Sequence, residues 1–200
     1  HSVLVFNVHG VNEVMKKQVA APATKEVHRV VQELGYIIEQ LSVKNLREFY
    51  HDVLHIKDTV LQLFTFGVLT LSQRAKAENL FWVIVTRMEE LSRTTPDLDD
   101  LVLPLEDLLS DTYFCNFSVF QSMPDSWAVQ QLFPVMPIHR LDEEPQRKAI
   151  LVDLTCDSDG KIGQFIDMNS TPGNKVKKGS LEVHTLHENQ PYYMGVFLVG

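Results

Sequence analysis

The hydrophobic period changes twice along this 200-residue chain, and that change limits the fold more than any single motif. Between Val27 and Leu109 apolar residues recur every three or four positions, whereas the segments on either side read as strands. Val3-Leu4-Val5-Phe6-Asn7-Val8 is β-branched and aromatic and predicts a buried strand with an exit turn at Gly10. From Pro22 and Thr24, the positions Val27, Val30, Val31, Leu34, Ile38 and Leu41 make one helical stripe, with Thr24 expected as its cap. The cleanest stripe follows: Leu46, Phe49, Tyr50, Val53, Ile56, Val60, Leu63 and Phe64 share one face. Ala77, Leu80, Phe81, Ile84, Met88 and Leu91 predict a third helix after Gly67. Leu98, Leu101, Val102, Leu105, Leu108 and Leu109 predict a fourth, with Pro104 expected to kink it or to mark its first turn. Four such helices with short connections suit a small bundle.

Beyond Asp111 the texture returns to β. Tyr113 to Phe120, Ala149 to Thr155, Lys161 to Asp167, Leu181 to Leu186 and Tyr192 to Val199 predict strands, and Thr171 to Lys178 an exposed loop. The expected class is α+β, a helical bundle followed by a mostly antiparallel, barrel- or sandwich-like β-domain. The expected divisions are residues 1–21 for the first strand and its connection, 22–111 for the bundle, and 112–200 for the β-domain.

Composition excludes several classes of function. Eighteen Lys and Arg against 26 Asp and Glu leave a net charge of −8, which argues against a nucleic-acid surface. No apolar run approaches the roughly 20 residues of a membrane span. Cys115 and Cys156 form neither a disulfide framework nor a C-x-x-C pair, so a reducing, cytoplasmic setting fits best. The chain starts at His1 without a signal sequence and closes inside the apolar run Val196 to Gly200, as expected of a β-domain truncated at its C-terminal end, in a piece of something longer.

The densest polar cluster is Thr155-Cys156-Asp157-Ser158-Asp159-Gly160, between two apolar runs. Ser158-Asp159-Gly160 has the composition of a hairpin turn, while a thiol beside a carboxylate at a strand end offers a proton donor and a cation receptor together. Calcium is not expected, because an EF-hand register would put Thr155 and Ile166 at its first and twelfth positions. His51 and His55 have the spacing of a zinc pair, but Asp52 replaces the usual Glu and no third ligand is evident, so a solvated polar face is expected. Glu89, Glu90, Asp97, Asp99 and Asp100 read as surface or helix-terminal charge. There is neither a G-x-S-x-G elbow nor a phosphate loop.

Four stretches together resemble the biosynthetic arginine decarboxylase family: His1 to Val8; Phe117-Ser118-Val119-Phe120-Gln121-Ser122-Met123-Pro124-Asp125-Ser126-Trp127 continuing from Gln131 to Ile138; Asp153 to Gly160; and Met194-Gly195-Val196-Phe197-Leu198-Val199-Gly200. Their order, and the helical insertion between the first two, also agree. The resemblance implies a pyridoxal-phosphate enzyme that converts L-arginine to agmatine and CO2 for polyamine (spermidine) biosynthesis, with magnesium as a further cofactor. It implies a larger (β/α)8 barrel that holds pyridoxal 5'-phosphate, with the cofactor lysine before His1 and no cofactor residue in this segment. On that reading the present 200 residues are inactive alone. Within them, Cys156 would be the catalytic proton donor and Asp157 the substrate-binding partner of the guanidinium, both supplied across the interface of a homodimer or higher homo-oligomer. Pyridoxal phosphate would act as the electron sink when carbon dioxide leaves.

Gly163 and the segment Met168 to Asn174 depart from the Asp-rich continuation expected of the family. A competing reading from another class is a stand-alone helical interaction module, with Cys156 and Asp157 merely closing a hairpin.

Overall fold

Helical periodicity turns into helix close to where it is read. The computed structural model describes residues 2–14, 27–155, 160–167 and 177–199. They divide into a helical unit, Met15–Leu105, and a sheet unit made of His1–Val14 and Glu106–Gly200.

The helical unit contains α1 (Arg29–Gln40), α2 (Leu46–Thr65), α3 (Leu71–Arg93) and most of α4 (Asp99–Leu108), which follows a 3-10 turn at Pro96–Leu98. α1 starts later than its stripe suggests: the His28 ring accepts from the Val30 amide at 3.2 Å. Thr24, the expected cap, lies outside the described residues. Ile37 is buried in this helix, and Ile38 only half so. Gly67, at φ +74°, ends α2 with a backbone that a side chain would strain. α3 opens with a capping box in which the Thr70 hydroxyl accepts from the Gln73 amide at 3.3 Å and Gln73 Oε1 accepts from the Thr70 amide at 3.0 Å. α4 runs through Pro104 rather than starting at it. Asp97 and Asp100 sit at its front, where the Arg47 guanidinium binds the Asp100 carboxylate and the Asp97 carbonyl. Leu34, Leu46, Val53, Ile84, Met88 and Leu105 are almost wholly buried, as their spacing requires.

The sheet unit contains β1 (Ser2–Asn12), β2 (Asp111–Cys115), the short helices α5 (Val119–Ser122) and α6 (Pro124–Ala128), and then β3 (Val135–Pro137), β4 (Arg147–Asp153), β5 (Lys161–Ile162), β6 (Phe165–Ile166), β7 (Lys177–Lys178), β8 (Leu181–Val183) and β9 (Tyr193–Val199). The main sheet has the order β3-β9-β1-β2-β4-β5, with β8 also paired to β4. β2 and β4 run parallel and the other pairs antiparallel, so the sheet is mixed.

Several elements correct the reading from sequence. β1 extends past Gly10, where a bulge replaces the expected exit turn, and Val3 and Val5 face outward, 50% and 53% exposed. The aromatic run from Tyr113 is strand only to Cys115, after which the Ser118 hydroxyl caps α5 by accepting from the Gln121 amide at 3.2 Å. Lys161 to Asp167 splits into two short strands with different partners, and Lys177–Lys178 pairs with β6 instead of forming a loop.

The sheet curls until β3 lies against β8, and buried polar groups hold the segments beside them. His184 Nε2 lies 3.0 Å from the Glu143 carbonyl, which can only accept. Nε2 therefore carries the proton, and Nδ1 accepts from the Tyr192 hydroxyl at 2.8 Å. The Tyr113 hydroxyl donates to the His184 carbonyl at 2.9 Å, and Arg140 donates to the Thr185 carbonyl at 2.7 Å.

Core deletion in the bundle should be costly and surface charge removal should not. Ile84→Ala, at a fully buried site, is expected to lower the unfolding free energy by about 2–5 kcal/mol in urea titration. Arg29→Ala, which removes an exposed pair with Glu33, should change it by under about 0.5 kcal/mol.

Candidate active site

Strand parity puts a carboxylate where apolar residues are expected. Ala149, Leu151 and Asp153 alternate along β4 and are all buried, Asp153 to 4% exposure. β4 and β5 pair antiparallel through Leu151 with Ile162 and Val152 with Lys161. One further bond, from the Asp153 amide to the Gly160 carbonyl at 2.9 Å, closes the ladder where the chain reverses. Cys156, Asp157, Ser158 and Asp159 lie between these ends and outside the described residues.

The Asp153 side chain binds both ends of that reversal and a third segment. Its Oδ1 accepts from the Gly160 amide at 3.1 Å and from the Thr155 hydroxyl at 3.4 Å. Its Oδ2 accepts from the Val119 amide at 2.9 Å, at the start of α5. A buried carboxylate without such donors would be strongly unfavourable. Gly160 makes the approach possible, because a Cβ there would stand 2.1 Å from Oδ2 and 2.6 Å from Cγ. The Leu154 amide donates to the Cys115 carbonyl at 3.1 Å, continuing the β2–β4 contact to the edge of the turn.

Of the two thiols, Cys115 is fully buried and is pushed up to about 12, first by burial and then by the nearby Asp153 charge. It stays protonated and inaccessible at neutral pH. Burial likewise raises the phenol of Tyr113 above its ordinary range.

The other candidate groups are dispersed. His51 and His55 are both exposed on α2. Among the described residues no three His, Cys, Asp or Glu side chains are grouped to hold a metal ion. None of the described lysines is buried, and Lys161 and Lys178 are ion-paired with Asp107 and Glu182. No described helix is long and apolar enough to cross a membrane. A groove of about 260 Å³ runs between α2 and α3, but Lys57 already stands over the Phe81 ring, and Arg74 pairs with Glu78 at 2.8 Å.

Comparison with known proteins gives these elements a context. Residues 24–103 match the arginine decarboxylase helical bundle domain, so the bundle is of a class found in decarboxylases. Over its whole length the chain is 47% identical to the biosynthetic arginine decarboxylase of Thermosynechococcus vestitus and 42% identical to that of Bacteroides thetaiotaomicron. It covers 30% and 31% of those proteins and so spans about three tenths of the curated relatives it matches. The crystal structure of the Campylobacter jejuni biosynthetic arginine decarboxylase aligns with 98% of the chain at a TM-score of 0.59 and 30% identity, over 29% of its own length. The chain belongs to the biosynthetic arginine decarboxylase family.

Sequence reasoning singled out Cys156 and Asp157 and passed over Asp153. The signal was present: in the run Ala149 to Thr155, Asp153 keeps the parity of Ala149 and Leu151, which marks it as inward-facing.

The buried thiol and phenol give the fold an alkaline limit. The Cys115 pKa lies above that of an ordinary thiol, so the folded chain retains a proton that the unfolded chain releases. Stability from this group is complete below about pH 9 and is lost as the pH rises towards 12. The urea midpoint should fall above pH 9, and Cys115→Ala should flatten part of that fall; an unchanged profile would contradict the assignment.

Proposed function

We propose that this chain is the bundle and β-domain portion of an enzyme that converts L-arginine to agmatine and CO2 in cytoplasmic polyamine biosynthesis. The observation that carries the reading is similarity to biosynthetic arginine decarboxylases along the whole chain, sheet unit and bundle alike. That breadth favours an enzyme portion over a free-standing helical interaction module.

Cys156 is the proton donor to the carbon that loses carbon dioxide. An unperturbed thiol, with a pKa near 8.5, is mostly protonated at neutral pH and can act as a general acid. Asp157 receives the substrate guanidinium, whose planar donor fork matches a carboxylate in two parallel hydrogen bonds. Both side chains serve the neighbouring subunit of a homodimer or higher homo-oligomer. Pyridoxal 5'-phosphate belongs to the reading as the complete enzyme's cofactor, held by residues other than those described here.

The test is agmatine formation by the complete gene product. Cys156→Ser should lower kcat by about 10²–10⁴-fold, the usual contribution of a general acid. Asp157→Asn should raise KM for arginine by about 10- to 100-fold, in line with the loss of a charge-assisted pair. Undetectable agmatine with the unmodified protein would overturn the reading, and unchanged constants in either variant would remove that residue's role.

A further inference from the structure

We propose that Asp153 is a positioning residue for this reaction: by binding Thr155 and Gly160 together, and both to the start of α5, its carboxylate sets the segment that carries Cys156 and Asp157. The inference rests on the roles given above to those two residues.

The hairpin does not need this side chain to form. The Asp153 amide already bonds the Gly160 carbonyl at 2.9 Å, and the β4–β5 pairing continues below it. What the side chain adds is attachment to a different part of the chain. One oxygen takes the Gly160 amide at 3.1 Å and the other the Val119 amide at 2.9 Å. Two backbone donors approaching different oxygens call for a carboxylate, because an amide in its place would turn an NH2 group towards one of them. Gly160 is matched to it, since a Cβ would lie 2.1 Å from Oδ2. Thr155 and Gly160, the described ends of the turn, are thereby tied through one carboxylate to the start of α5 as well as to their own strands. A turn merely closing a sheet edge gains nothing from such fixing, whereas groups that must meet a substrate within a fraction of an ångström do.

The experiment uses the complete gene product in five forms besides the unmodified one: Asp153→Asn, Gly160→Ala, Asp153→Ala alone, the double variant Asp153→Ala with Gly160→Ala, and Cys156→Ser. Each is assayed for kcat and KM, for melting temperature, and for the iodoacetamide alkylation rate of Cys156, obtained by subtracting the rate of Cys156→Ser. Asp153→Asn should remain folded at the assay temperature, lose about 10- to 100-fold in kcat, raise KM several-fold and shift the Cys156 alkylation rate at least about threefold. Gly160→Ala should be similarly impaired alone, yet cost under about twofold more when added to Asp153→Ala, because the oxygen it collides with is gone. Values for Asp153→Asn within about twofold of the unmodified protein would overturn the inference. So would loss of folding in every Asp153 variant, or an equal cost of Gly160→Ala in both backgrounds. Should Cys156→Ser retain full activity, the underlying reading fails; should it be impaired while Asp153→Asn is not, only the positioning role fails.

Discussion

A single buried carboxylate joins the end of β4, the start of β5 and the start of α5. Asp153 lies on the inward face of β4, at 4% exposure, with donors from the far end of the turn, from Thr155 and from the start of α5. Burying a carboxylate there is tolerable because the Gly160 and Val119 amides and the Thr155 hydroxyl all donate to it. The glycine opposite is a consequence of the same constraint, since no other residue leaves room for the oxygen.

The rest of the sheet unit explains how that point is held. β2 and β4 pair in parallel from Asp111 with Ala149 to Cys115 with Asp153, which brings two strands' ends to the same edge. At the opposite end of the same pair, Asp111 accepts from Arg147 at 2.6 Å and from the Val14 amide at 2.8 Å, so a buried carboxylate anchors each end. Cys115 beside Asp153 stays a neutral, packed thiol.

Much of the helical architecture was legible because a 3.6-residue stripe is a local property. Leu46, Val53, Ile56 and Val60 reveal their common face without reference to any other segment. The sheet was legible as strands but not as a pairing. Nothing near Val8 announces that it lies opposite Cys115, and nothing near Phe114 announces a parallel partner at Val152. Gly10 looked like a turn because glycine serves bulges and turns equally well. Cys156 and Asp157 were singled out by composition and family likeness and lie outside the described residues; strand parity marks Asp153 as inward-facing, whereas its partners Val119 and Gly160 are visible only in the structure.

In the proposed reaction the Cys156 thiol delivers a proton to one face of the reacting carbon. The most direct measurement is the configuration of deuterium at the amine-bearing carbon of agmatine formed in D2O. The account predicts a single configuration from the unmodified complete enzyme, and slow formation of a mixture from Cys156→Ser. Retention by Cys156→Ser of both the rate and the single configuration would contradict it.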